Sequence, residues 1–468
     1  MSTRTTLIAL LLASGCAAFA GQDEKPLPKE LPPYGADRAI PPIDLTRKTL
    51  ANGMEVWIVK RPGLPRVASY LAVRGGDASD PADRQGLSSF MAGLLAEGTA
   101  RRSSRQIAEE IQAIGGELAA GAGPDAVLIH GTALSSGLGT LVNLLADVAR
   151  HPAFPAKEVE LSKANALQGL QAQEAQPGFK ANRAFFAALF GEHPYRFTAI
   201  TPELVKQVTP EQLRALHGER FQPGRALLVL SGDLQPAAAL KAVEAAFGDW
   251  KATAPDLKPV PPAPTAAARQ IVLVPRPGSV QSTLRVGRPA IPFNHADYVP
   301  FQLANIILGG SFHSRITRNI REDKGYTYSP AARLRSLREG GAYLVQADVR
   351  NDVTAATLNE IFYEMDRMAS TDVHEEELVS AKRYMAGTFL AQNEMLQALT
   401  GTLATYWING QQPEALSAFI PKVNAVTAAD IRRVSRTWLA SKDQTVVVVG
   451  DPAKAKAELE QYGLVTVK

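Results

Sequence analysis

Two spacings of apolar residues interleave along this chain, and each predicts a different kind of element. Val67–Val73 and Ala126–Leu134 are short apolar runs that read as strands. Leu50–Val59 reads as a strand entered through the Asn52-Gly53 turn. Residues 86–97, 104–114, 136–150, 156–175 and 235–247 carry apolar side chains three and four apart, the spacing of helices with one buried face. Thr209-Pro210-Glu211-Gln212 is a capping box with Pro at the first helical position, so a helix begins there. Strands arrive as meanders and helices in pairs, not in strict alternation. That order predicts an α+β fold of antiparallel-rich sheets backed by helices rather than a doubly wound parallel sheet.

The pattern is written twice. Val205-Lys206-Gln207-Val208-Thr209 returns as Val423-Asn424-Ala425-Val426-Thr427, and Leu213-Arg214 as Ile431-Arg432. Leu228–Asp233 returns as Val446–Asp451, and Glu158 and Ser162 as Glu376 and Ser380. Every one of these pairs is separated by 218 residues. A fixed period of this size predicts two copies of one unit. The copies are expected over 44–250 and 269–468. A Pro-rich stretch, 251–268, lies between them with Pro255, Pro259, Pro261, Pro262 and Pro264, and reads as a semi-rigid linker.

Composition narrows the class. The 468 residues are 46% hydrophobic and 21% charged, as in a globular protein of two or three domains. A net charge of +4, spread without basic blocks, offers nothing for nucleic acid. Arg4 followed by the apolar run Leu7–Leu12 is a secretory signal, too short to span a bilayer. Residues 1–21 are therefore expected to direct export. Two processing readings stand side by side. Leu12-Ala13-Ser14-Gly15-Cys16 resembles a bacterial lipobox, which would lipidate Cys16 and anchor the chain to a membrane in the periplasm of a Gram-negative bacterium. Ala18-Phe19-Ala20 is an ordinary cleavage site, which would release it. Cys16 is the single Cys and has no internal disulfide partner. The prolines of 22–43 would keep the following stretch an extended tether.

The chemistry is most legible in Gly86-Leu87-Ser88-Ser89-Phe90-Met91-Ala92-Gly93-Leu94-Leu95-Ala96-Glu97-Gly98-Thr99. This run resembles the zinc-binding helix of the pitrilysin-like (insulinase-type, M16) metallopeptidases, where the inverted motif is His-x-x-Glu-His. Two His four apart share one helix face and one metal, and the Glu beside the second serves as base. Here Ser89 and Gly93 stand at the His positions and Ala92 at the Glu position. The third ligand of the family, a Glu on a later helix, falls on Gln168 or Gly169. None of the seven His forms a metal-binding spacing. The expectation is a chain that binds no zinc, with a vestigial helix at 86–97.

The second copy retains a different motif. Leu308-Gly309-Gly310-Ser311-Phe312-His313-Ser314-Arg315 leads into Asn319-Ile320-Arg321-Glu322-Asp323-Lys324-Gly325-Tyr326-Thr327-Tyr328. It resembles the family's Gly-Gly loop, Ser-Arg and Arg/Tyr pair, with the pair falling on Arg321 and Tyr328. Resemblance to the family further implies two similar domains, each a sheet backed by helices. The pair would act on a zinc site carried by another chain, since in the bacterial two-chain branch one subunit holds zinc and its partner the Arg/Tyr pair. A guanidinium and a phenol are suited to donate to the oxyanion of peptide hydrolysis. Gly309 and Gly310 would let the loop approach an unfolded peptide. His313 reads as polar surface. Other echoes are Gly115-Gly116 with Asp125, and Gly191-Glu192-His193-Pro194-Tyr195.

Two functions follow. The first is a zinc-less subunit of a heterodimeric zinc peptidase, inactive alone. The alternative is a peptide-binding or assembly protein of the cell envelope that uses the fold as a scaffold. A hydrolase with other machinery finds no Ser/His/Asp or Cys/His set here.

Overall fold

The computed structural model describes residues 43–251, 254–265 and 268–468. The signal, Cys16 and the tether up to residue 42 lie outside the described residues. The first sheet contains β1 (Leu45–Thr49), β2 (Glu55–Lys60), β3 (Arg66–Arg74), β4 (Glu117–Ala122), β5 (Ala126–Leu134) and β6 (Ala226–Gly232). The second contains β7 (Ile271–Pro275), β8 (Gln281–Ala290), β9 (Ala331–Ser336), β10 (Gly341–Arg350), β11 (Thr445–Gly450) and β12 (Val465–Val467). Their orders are β1-β2-β6-β3-β5-β4 and β12-β7-β11-β8-β10-β9. The fold is the expected pair of α+β sheets backed by helices. In each, a parallel pair near one edge (β2 with β6, β7 with β11) joins an antiparallel meander. The outermost positions differ. β1 runs antiparallel to β2, whereas β12, from the chain's last residues, runs parallel to β7.

Burial explains the sequence pattern. β6 and β11 are buried at every position, so they read as unbroken apolar runs. The capping boxes at Thr209 and Thr427 both form and open equivalent helices, Pro210–Arg220 and Ala428–Trp438. Two predicted elements are shorter than their apolar runs. Leu50–Gly53 is a hairpin turn between β1 and β2, closed by Leu50 N–H on Met54 C=O at 2.8 Å with Gly53 at φ +88°. Asn52 leaves the strand pattern because its side-chain amide donates to the carbonyls of Phe247 and Trp250. The predicted helix over 86–97 is α-helical only from Leu87 to Ala92. Beyond it, Leu94, Leu95 and Glu97 each donate to the carbonyl three residues back, so the segment tightens into turns.

One face of each sheet is covered by helices of its own half, and the other by a helix of the opposite half. The long helix Ala156–Glu174 turns at Gln176 into Pro177–Phe190, which lies on β8 and β11 of the second sheet. The long helix Glu375–Glu394 turns at Met395 into Leu396–Ile408, which lies on β3 and β6 of the first. Leu399, Leu403 and Trp407 thereby enter a core with Trp57, Ala72 and Val229. Phe185 and Leu189 enter one with Val272 and Val447.

Polar contacts seal this exchange. The Arg74 guanidinium lies 3.8 Å from the Trp407 ring centre and donates to the Trp407 carbonyl. Asp125 accepts from the Tyr195 hydroxyl at 2.7 Å and from Arg338 N–H at 3.1 Å, and the same hydroxyl accepts from Glu339 N–H. The 251–268 stretch is not a free spacer, because the described part is strapped down. Ala263 is buried and donates to Glu339, and Pro261 C=O sits 2.9 Å from His193 Nε2.

Tyr195→Phe removes one hydroxyl that serves both halves and leaves a buried carboxylate short of a donor. The expected result is a loss of about 1–3 kcal/mol in urea unfolding. An unchanged midpoint would contradict the sealing role.

Candidate functional site

The helix Leu87–Ala92 begins where two carboxylates meet its first N–H groups. Asp80 accepts from Gly86 N–H and Ser88 N–H at 3.0 Å and from the Ser88 hydroxyl at 2.5 Å. Asp77 accepts from Ser89 N–H at 2.9 Å and from the Ser89 hydroxyl at 2.7 Å. These bonds satisfy the donors that any helix leaves open at its start, and the negative charge suits the positive end of the helix. The fully buried Arg220 reaches Asp80 at 3.3 Å and Ser79 C=O at 2.7 Å. Burial pushes the Asp77 carboxyl up to about 6, against the pull of the Ser89 hydroxyl. Asp80 is raised by burial as well, with Ser88 and Arg220 opposing.

This arrangement does not fit a zinc ion. The Ser89 oxygen is committed to Asp77, and the oxygens of both carboxylates are occupied by protein donors. Ala92 is fully buried in the first core beside Met91 and Leu95, where a general base would have no water. Gly93 offers no side chain. Gln168 is exposed and Gly169 has no neighbour within 4 Å of where a Cβ would stand. Among the described residues no three His, Cys, Asp or Glu side chains are placed to hold a metal.

The second-half motif is held open and anchored from below. Ile306–Gly310 and Thr317–Asp323 are both π-helical turns, wider than an α-helix and frequent where a chain carries function. Arg315 grips Glu377 through two bonds of 2.8 and 2.6 Å, and Asn319 donates to Glu360 and Glu364. Lys324 bonds Glu360 as well. The segment is thereby fixed to the helices Thr354–Ser370 and Glu375–Glu394.

On this base the structure brings Arg321 and Tyr328 together. The Arg321 guanidinium carbon lies 4.8 Å from the Tyr328 ring centre and 4.5 Å from that of Phe312. Both rings project into solvent, Phe312 57% and Tyr328 80% exposed. Among the described residues the Arg321 guanidinium makes no ion pair and no hydrogen bond, so its donors are free. Behind Phe312 opens a cleft of about 840 Å³, lined in part by His313, Arg318, His374, Glu376 and Tyr384. Phe312 carries no mark in the sequence as a partner of Arg321; its ring comes from the turn between the two π-helical segments. The glycines have a reason inside the chain. A Cβ on Gly309 would come within 2.7 Å of Ala332 Cβ, and one on Gly310 within 2.5 Å of Asn305 Nδ2. Asp125 and the His193-Pro194-Tyr195 turn belong to the seam between the halves, as described above.

Comparison with known proteins agrees with this architecture. A sequence model described as Insulinase (Peptidase family M16) matches residues 55–203, and one described as Peptidase M16 inactive domain matches 207–385. The chain belongs to peptidase family M16. An uncharacterized zinc protease of Mycobacterium leprae (strain TN) is 25% identical over 88% of this chain and 92% of its own. One of Bacillus subtilis (strain 168) is 21% identical over 86% and 98%. A peptidase M16 inactive domain from Pseudomonas fluorescens superposes with a TM-score of 0.80 at 23% identity, covering 87% of this chain and 98% of that one. A protease from Helicobacter pylori superposes with 0.81 at 17%, covering 87% and 100%. These structures share the fold.

Two consequences of this helix can be measured. A Cβ at Gly93 would meet nothing closer than Phe90 C=O at 3.6 Å, and its backbone is helical at φ −62°. Gly93→Ala is expected to be neutral or to raise stability by up to about 1 kcal/mol in thermal or urea unfolding; a clear loss would mean the position is used. Asp77 binds its proton more tightly folded than unfolded, since its ordinary value is 3.8 and the folded one about 6. Its contribution to stability therefore falls as pH rises from about 4 to 6, by roughly 2–3 kcal/mol. Asp77→Asn is expected to flatten the stability profile in that window by about one proton. Parallel profiles of the two proteins would contradict this.

Proposed function

We propose that this chain is the zinc-less subunit of a two-chain M16 peptidase and completes an active site on a zinc-bearing homologue. The observation that carries the reading is the Arg321 guanidinium. It stands beside the Tyr328 ring with its hydrogen-bond donors uncommitted, on a segment anchored to two helices. The partner would bring the zinc ion and the carboxylate base, for which residues 89, 92 and 93 have no equivalents. This chain would bring a cation and a phenol aimed at the carbonyl oxygen of a bound, unfolded peptide. Such donors stabilise the negative charge that grows on that oxygen, and they act best when held in place beforehand. The chain would work outside the cytoplasm, either anchored through a lipid on Cys16 or released by cleavage after Ala20. Nucleic acid has no part in it.

The test is Arg321→Ala assayed with the zinc-bearing family member encoded in the same genome and a fluorogenic peptide. Assembly, followed by sedimentation, is expected to be unchanged while turnover falls roughly 100-fold or more, the usual consequence of losing one oxyanion donor. Wild-type turnover would turn the reading toward a scaffold of the cell envelope.

A further inference from the structure

We infer that Phe312 is a positioning residue for Arg321: its ring clamps the guanidinium against Tyr328 and leaves only the guanidinium edge for an oxygen to approach. The inference rests on the function proposed above and adds a residue to it. Its first basis is geometry. Arg321 has an aromatic ring within 5 Å on each of two contacts, at 4.5 Å for Phe312 and 4.8 Å for Tyr328. Stacking of this kind is favourable for a planar, weakly hydrated guanidinium and occupies its faces, while its N–H donors lie in its plane.

The second basis is exposure. A phenylalanine that stays 57% exposed gains little from burial, so its place is not explained by the core beneath it. Its other ring contact is with His313, edge to face at 5.4 Å. The third is the absence of a competing anchor. Two neighbouring cations, Arg315 and Lys324, are held by Glu377 and Glu360. Arg321 has rings where they have carboxylates. A carboxylate would fix the guanidinium but consume its donors and cancel its charge. Two rings fix it and leave both available to an oxyanion. An unrestrained Arg side chain loses much rotamer freedom on engaging a substrate, and the clamp removes part of that loss beforehand.

Two measurements separate this inference from the reading it rests on. In the isolated chain, the Arg321 δ-methylene protons, assigned by comparison with Arg321→Lys, are expected to resonate upfield because of the two rings. Phe312→Leu is expected to move them toward ordinary arginine values; an unchanged shift overturns the clamp. In the assembled complex, Phe312→Leu is expected to lower kcat about tenfold, the scale of one lost stacking contact together with a looser donor. KM should stay unchanged, and Phe312→Tyr should restore kcat. If Arg321→Ala abolishes turnover but Phe312→Leu leaves kcat intact, the clamp is wrong and the proposed function stands. If Phe312→Leu acts on KM alone, or Phe312→Tyr fails to restore kcat, the clamp is wrong as well. If Arg321→Ala has no effect, both fall together.

Discussion

Everything in this molecule depends on the reciprocal exchange of two helices. Pro177–Phe190 leaves the first half to cover the second sheet, and Leu396–Ile408 returns the favour on the first. Neither sheet has a complete core without the other half. Trp57 and Val229 would face water without Leu399 and Trp407, and Val447 would do so without Phe185. Burying such side chains contributes about 1.5–3 kcal/mol each. The exchange therefore joins the halves through apolar area first. The Asp125–Tyr195–Glu339 bonds and the Arg74–Trp407 stack then fix the register. The Arg321 segment is carried on this frame, bonded to Thr354–Ser370 and Glu375–Glu394, the second of which leads directly into the exchanged helix.

The two copies of the repeat have gone separate ways on the same frame. In the first, the run that resembles the family's zinc-binding helix is part of the core. Its start is capped by Asp77 and Asp80, its Ala92 is buried, and Arg220 neutralises the carboxylate beneath. Asp77, Asp80, Ser88 and Ser89 bond to one another or to the helix start, so none of their oxygens is left for a ligand. In the second, the Gly-Gly turn and the widened turn after it do the opposite. They close on Ala332 and Asn305 below and place one guanidinium within 5 Å of two rings above. In the first copy the polar groups at the helix start are bonded to one another, and in the second the Arg321 donors have no partner among the described residues.

How much of this could be read beforehand depended on how far each interaction reaches. Ala126–Leu134 was legible to the residue because its apolar run is bounded by turns on both sides. The capping box at Thr209 was legible because it closes within three residues; the one at Thr427, closed by an Asp, shows only in the structure. The duplicated α+β architecture followed from the 218-residue period and the order of elements. The run 86–97 was overread, since apolar spacing does not distinguish an α-helix from the tighter turns that follow Ala92. The Asn52-Gly53 turn was legible, but the strand after it begins only at Glu55. Helix exchange was invisible: the apolar face of Leu396–Ile408 shows that it is buried, not which sheet buries it. Asp77 and Asp80 act across a loop, and Phe312 sits in the turn between two π-helical segments, so no spacing rule marks them. The Arg321–Tyr328 pair was found only because its surrounding pattern resembles that of a family.

The account turns on the claim that this chain has no metal centre and works by completing another. The most direct measurement is the zinc content and peptidase activity of the purified mature chain, alone and mixed with the zinc-bearing homologue from the same genome. The account predicts no bound zinc and no activity alone, and activity that appears on mixing. One equivalent of tightly bound zinc, or hydrolysis by the chain on its own, would contradict it.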